Sequence, residues 1–154
     1  MPIKSFRGLI PPDSMDTITL HTNNGKTGYK IHKLQIIQMT PGGLDIEGMV
    51  KIWKVEPNTA EITSSLFDLS DNRILGIGFY SSEDTANLYP EDMTIIFENE
   101  IFNQDIYISN HDVRGQNDSM NYYLELETIP LALDEATVAT LKDIRNSGPN
   151  KLFP

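Results

Sequence analysis

The stretch that most constrains this chain is Tyr122-Tyr123-Leu124-Glu125-Leu126-Glu127-Thr128, in which side chains of two kinds alternate residue by residue. An extended backbone turns successive side chains to opposite faces. Tyr122, Leu124 and Leu126 therefore share one face, and Tyr123, Glu125 and Glu127 share the other. A strand with one apolar face needs a core to lay it on.

The same signature recurs along the chain. Thr17 to Thr22 alternates. From 44 to 55, Leu44, Ile46, Gly48, Val50 and Ile52 oppose Asp45, Glu47, Met49, Lys51 and Trp53. This predicts a half-buried strand, with core on one side and water or a partner on the other. Leu75, Ile77 and Phe79 alternate with Gly76 and Gly78, and glycines on one strand face predict close approach by a neighbouring backbone or ring. Met93 to Phe97 and Gln104 to Ser109 read as further strands, whereas 60–72 fits either a short helical turn or an irregular strand.

Turn residues separate these runs. Asn24-Gly25 is a two-residue hairpin signal, which would pair residue 21 with 28 and residue 17 with 32. Tyr29 and Ile31 share a face, but Leu34 and Ile36 take the other, so a bulge is expected near Lys33. Pro41-Gly42-Gly43, Pro57-Asn58, Asp71-Asn72 and Asn117-Asp118 punctuate the rest, and residues 81–92 form an acidic loop. Short strands divided by turns predict a mainly β fold, an antiparallel β-sandwich or barrel of jelly-roll-like kind.

One short C-terminal α-helix is expected over 135–146. Asp134 is its N-cap, Leu133 and Val138 have hydrophobic-staple spacing, Val138, Leu141 and Ile144 form an apolar stripe, and Gly148-Pro149 is the stop. The chain then divides into an extended N-terminal arm over 1–14, a single domain over 15–148 and a tail over 149–154. Ile10-Pro11-Pro12 keeps the arm out of helix. Leu152 and Phe153 are apolar residues beyond a helix stop. Ile10, Pro11, Pro12, Leu152 and Phe153 are therefore the candidate partner-binding residues.

Composition excludes several functions. With 154 residues the chain is long enough for a real core. It has no cysteine, so disulfides, thiolate metal sites and cysteine nucleophiles are out. A net charge of −10 disfavours nucleic acid and anionic membranes and suits docking on a locally basic partner. Apolar runs of about four to six residues fall far short of the ~20 of a membrane span, and Met1 to Pro12 lacks a secretion-signal apolar core.

The chemistry-bearing residues do not form a recognisable centre. If the hairpin forms, His21 and His32 lie about 13 Å apart along the sheet, and His111 lies elsewhere, so no metal or cofactor site is expected. There is no Gly-x-Ser-x-Gly elbow, Ser64-Ser65 and Ser81-Ser82 fall in loops, and nothing in the sequence supports a triad with His111. Glu125 and Glu127 share a strand face with the spacing of a glycosidase pair, but two carboxylates on alternate positions are the ordinary make-up of a solvated strand face. Glu83-Asp84 with Glu91-Asp92 lacks calcium-loop spacing. Trp53, Tyr107, Tyr122 and Tyr123 are candidates for a sugar-stacking platform.

Two stretches carry a likeness. Ile95-Ile96-Phe97-Glu98-Asn99-Glu100-Ile101-Phe102-Asn103-Gln104-Asp105-Ile106-Tyr107-Ile108 is one. The other is Asn121 to Glu127 followed by Thr137 to Arg145. Together, over about residues 15–146, they resemble small virion structural proteins of marine tailed phages, cyanophages in particular. The resemblance implies a non-enzymatic virion protein without a cofactor. Its expected place is the outer capsid surface, as a decoration or knob protein binding the major capsid protein, other virion proteins or its own copies. A tail component and a glycan-binding module are the alternatives.

Overall fold

The computed structural model describes residues 2–20, 26–40, 45–82 and 91–132. They form β1 (Ile3–Ile10), β2 (Ser14–Ile18), β3 (Thr27–Gln38), β4 (Ile46–Trp53), α1 (Thr59–Ile62), β5 (Ile74–Ser82), β6 (Glu91–Ile96), β7 (Ile106–Asp112) and β8 (Met120–Pro130). The helix expected over 135–146 and the tail lie outside the described residues.

Two sheets result, ordered β1-β8-β3 and β2-β7-β4-β5-β6. Every pairing is antiparallel. With β1 beside β8, β2 beside β7 and β4 beside β5, the chain follows a long hairpin rolled into two layers, the jelly-roll order. β6 extends the larger sheet beyond β5 and also packs against β3.

The alternation in β8 does what its pattern requires. Met120, Tyr122, Leu124 and Leu126 are buried. They meet Val50, Ile52, Ile106 and Ile108 of the facing sheet in one core. Burying each such aliphatic side chain contributes roughly 1.5–3 kcal/mol. The glycines mark where the layers come closest. A Cβ on Gly78 would lie 2.8 Å from Ile36 Cδ1, and one on Gly48 would collide with the Met120 methyl. The bulge appears where the phase change placed it, as a register shift between Ile31 and Lys33.

The hairpin expected at Asn24-Gly25 is corrected. β2 pairs with β7 in one sheet, and β3 pairs with β8 in the other. Two turn residues specify a local bend, but the partner of a strand is set by where its apolar face is buried. β2 closes its end of the sheet with Ile18 opposite Ile106, both in the core. The turn residues themselves lie outside the described residues.

The arm over 1–14 is also corrected. Residues 3–10 are an edge strand in register with β8, from Ile3 opposite Glu127 to Ile10 opposite Met120. Pro11 and Pro12 then carry the chain from the smaller sheet to the larger. A proline has no N–H to lose where the ladder ends. Asp13 completes the crossing at φ 54°, a left-handed conformation that Asp tolerates better than most residues. Asn110 Nδ2 donates to the Ile10 carbonyl at 3.3 Å and ties the layers together.

Candidate functional site

The outer face of β4 carries Met49, Lys51 and Trp53, the set expected to meet water or a partner. All three are buried. Over Lys51 and Trp53 the cover is the chain's own segment 58–73, so the expectation of a strand face open to water or a partner is corrected. β4 is central, between β7 and β5, and a loop from the same chain closes its second face.

The cover is locally specified. Asn58 caps α1 by accepting from Glu61 N at 2.8 Å, and Asn58 N donates to Glu61 Oε1 at 3.0 Å, a full capping box. Glu61 also pairs with Arg73 Nη1. Arg73 donates from Nε and Nη2 to Asp71 at 3.0 and 2.8 Å. Those hydrogen bonds hold the Asp71 carboxyl below the usual carboxylate range. The guanidinium stands 5.5 Å from the centre of the Trp53 ring, and Trp53 Nε1 donates to Ser109 Oγ at 2.9 Å.

Between cover and sheet lies a cavity of about 310 Å³, walled by Lys51, Trp53, Phe67, Arg73, Ile74 and Ile77 among others. Lys51 is 5% exposed. Its Nζ donates to the Ser64 carbonyl at 3.3 Å and stands 5.8 and 5.9 Å from the ring centres of Trp53 and Phe67. Burial pushes the ammonium below the ordinary lysine range, opposed by the charges of Glu61 and Asp71.

Beside the cavity the structure joins three residues far apart in sequence. Ser65 Oγ lies 3.0 Å from His111 Nε2, and His111 Nδ1 lies 2.6 Å from Asp13 Oδ1. Asp13 Oδ1 also accepts from Asp112 N at 3.2 Å. The connectivity is that of nucleophile, base and orienting acid. Two features distinguish it from a working triad. The Asp13 side chain is 45% exposed, and the amide after Ser65, Leu66 N, donates to Ser64 Oγ at 3.3 Å. As it stands, the relay fastens the cover and the β1–β2 crossing to β7.

The sequence-derived candidates do not converge. Ile10 is fully buried in the core, so it is not a docking residue. Pro11 is exposed in the crossing, Pro12 is partly buried, and Leu152 and Phe153 lie outside the described residues. The sugar platform is corrected. Trp53 lies under the cover beside Tyr107, Tyr122 points into the core, and Tyr123 sits on the outer face of the other sheet. Glu125 accepts from Tyr123 Oη at 2.6 Å, and Glu127 pairs with Lys30 at 3.4 Å. His32 and His111 are on different sheets, and His21 and the acidic residues 83–90 lie outside the described set. Among the described residues no group of three or more His, Asp or Glu is placed to hold a metal. No helix among them is long and apolar enough to cross a membrane.

Sequence reasoning missed the cover and the Lys51 cavity. The signal was partly present: Asn58-x-x-Glu61 after Pro57 is a capping-box pattern. No spacing rule links Ser65 to His111 or Asp13. The chain matches no known family model and no curated protein.

Proposed function

We propose that the protein is a non-enzymatic virion structural protein, an accessory or decoration protein on the exterior of a phage capsid that binds the major capsid protein. The observation that carries this reading is the apolar outer face at the β6 end of the larger sheet. β6 is its last strand. It bares Met93 at 62% and Ile95 at 37%, and on the same outer face Leu66 of the cover is 73% exposed. An edge strand offers main-chain donors and acceptors, and apolar side chains grouped on it mark a contact surface. The jelly-roll architecture recurs in viral capsid and lectin domains, which is support by analogy alone. The resemblance to phage virion proteins names the partner, and the acidic charge favours a basic docking surface over packaged DNA.

Proteomics of purified virions, with a particle map, tests the reading. The protein is expected in virions, on the outer shell. Met93→Lys with Ile95→Lys is expected to lower its occupancy about tenfold, the equivalent of about 1.4 kcal/mol of binding, while thermal unfolding stays unchanged. Absence from virions overturns the proposal.

The Ser65–His111–Asp13 relay favours a second reading, acyl transfer through Ser65. A fluorophosphonate probe decides it. Labelling that disappears in Ser65→Ala establishes a nucleophile, and an unlabelled native chain removes the reading.

A further inference from the structure

We propose that the cavity over Lys51 is a binding site for a small aromatic carboxylate. The argument starts from the ammonium. Lysine has three N–H donors, and Lys51 uses one on the Ser64 carbonyl. Among the described residues no carboxylate lies within ion-pair distance of it. The nearest acids on the cavity wall, Glu61 and Asp71, are both held by Arg73. Asp68 accepts from Ser70 at the exposed side of the cover. The charged wall residues Lys51, Arg73, Glu61, Asp68 and Asp71 sum to −1, so what an entering anion meets with donors to offer is the Lys51 ammonium, the acids beside it being engaged by Arg73 and Ser70.

The rest of the wall suits a flat apolar body. Trp53 and Phe67 present rings, and Ile74 and Ile77 present aliphatic surface. A volume of about 310 Å³ is at the small end for ligand sites, enough for a benzoate-sized acid and too small for a folded partner's side. A carboxylate would take the spare Lys51 donors in a charge-assisted hydrogen bond, which is stronger than a neutral one. The ring would lie against Trp53 and Phe67. This inference is independent of the virion reading.

The test uses the full chain. Its single tryptophan gives one indole N–H resonance, a reporter at the cavity wall. The probes are 4-methylbenzoate and its neutral match, 4-methylbenzamide, titrated by NMR. The acid is expected to shift the Trp53 indole signal saturably, and the amide to bind at least about tenfold more weakly. Lys51→Met is expected to abolish the acid's effect, whereas Lys33→Met, a change at an exposed strand position, should leave it intact. No saturable shift, equal binding of acid and amide, or unchanged binding to Lys51→Met overturns the proposal. Should Lys51→Met fail to fold, the comparison of acid with amide on the unaltered chain decides.

Discussion

The Tyr122 hydroxyl donates to Asp16 Oδ2 at 3.4 Å, from the smaller sheet to the edge strand of the larger. Burial, then the Asp16 charge, pushes the phenol up to about 12. Because the folded value lies above the unfolded value of about 10, this group's stabilising contribution is complete below pH 10. It is lost as pH rises through 12. Tyr122→Phe is expected to remove that alkaline loss, seen as a flatter stability profile in urea unfolding between pH 9 and 12 (~3 pH units). Lys51 has the opposite sign. Its folded value is depressed, so the buried ammonium weighs against folding at neutral pH, and the cost fades as pH rises toward the unfolded lysine value. At Gly78 the sequence was legible in part. Alternating glycines announced a close approach by backbone or ring; the Ile95 carbonyl makes it at Gly76, but at Gly78 the neighbour is the aliphatic Ile36 side chain. Gly78→Ala is expected to destabilise by about 1–3 kcal/mol through overpacking, measured by urea unfolding. Lys51 was not legible. A lysine on the polar phase of an alternating strand reads as solvated, and only the cover shows otherwise.

At the scale of elements, α1 matters beyond its four residues. Its capping box fixes Glu61, Glu61 and Asp71 hold Arg73, and Arg73 covers Trp53. Asn58→Ala removes the cap's acceptor and is expected to cost about 0.5–2 kcal/mol. It should also loosen the lid, so Trp53 fluorescence is expected to move to longer wavelength under native conditions. An unchanged emission maximum would show that the cover holds without its cap. The strands themselves were readable, because period two is a property of the backbone. The bulge at Lys33 was readable for the same reason, since one extra residue inverts the phase. The cover was ambiguous because its apolar residues, Ile62, Leu66, Phe67 and Leu69, fit both periods: 62, 66 and 69 have helical spacing, and 67 and 69 alternate as in a strand.

For the whole molecule, the decisive strand is the first. β1 shields β8 along eight paired positions and places Ile10 in the core. A chain lacking residues 1–12 is expected to lose its cooperative thermal transition and to aggregate through the bared β8 edge. A dispensable arm would leave the transition in place. Calorimetry and light scattering distinguish the two. The fold joins β1 to β8 and β2 to β7, pairs distant in sequence, so closure waits on non-local contacts and folding is expected to be slow for its size. By itself the sequence determined the class of the protein: extended segments with one apolar face, turns between them, a cysteine-free acidic surface and an ordinary core. Those follow from local alternation and composition, which each segment carries alone. Only the tertiary structure decided which strands pair, that 3–14 belongs to the sandwich, that 58–73 closes over Lys51 and Trp53, and that Ser65, His111 and Asp13 meet. Each is a contact between distant residues, chosen by which arrangement buries the most apolar surface while pairing the polar groups it covers.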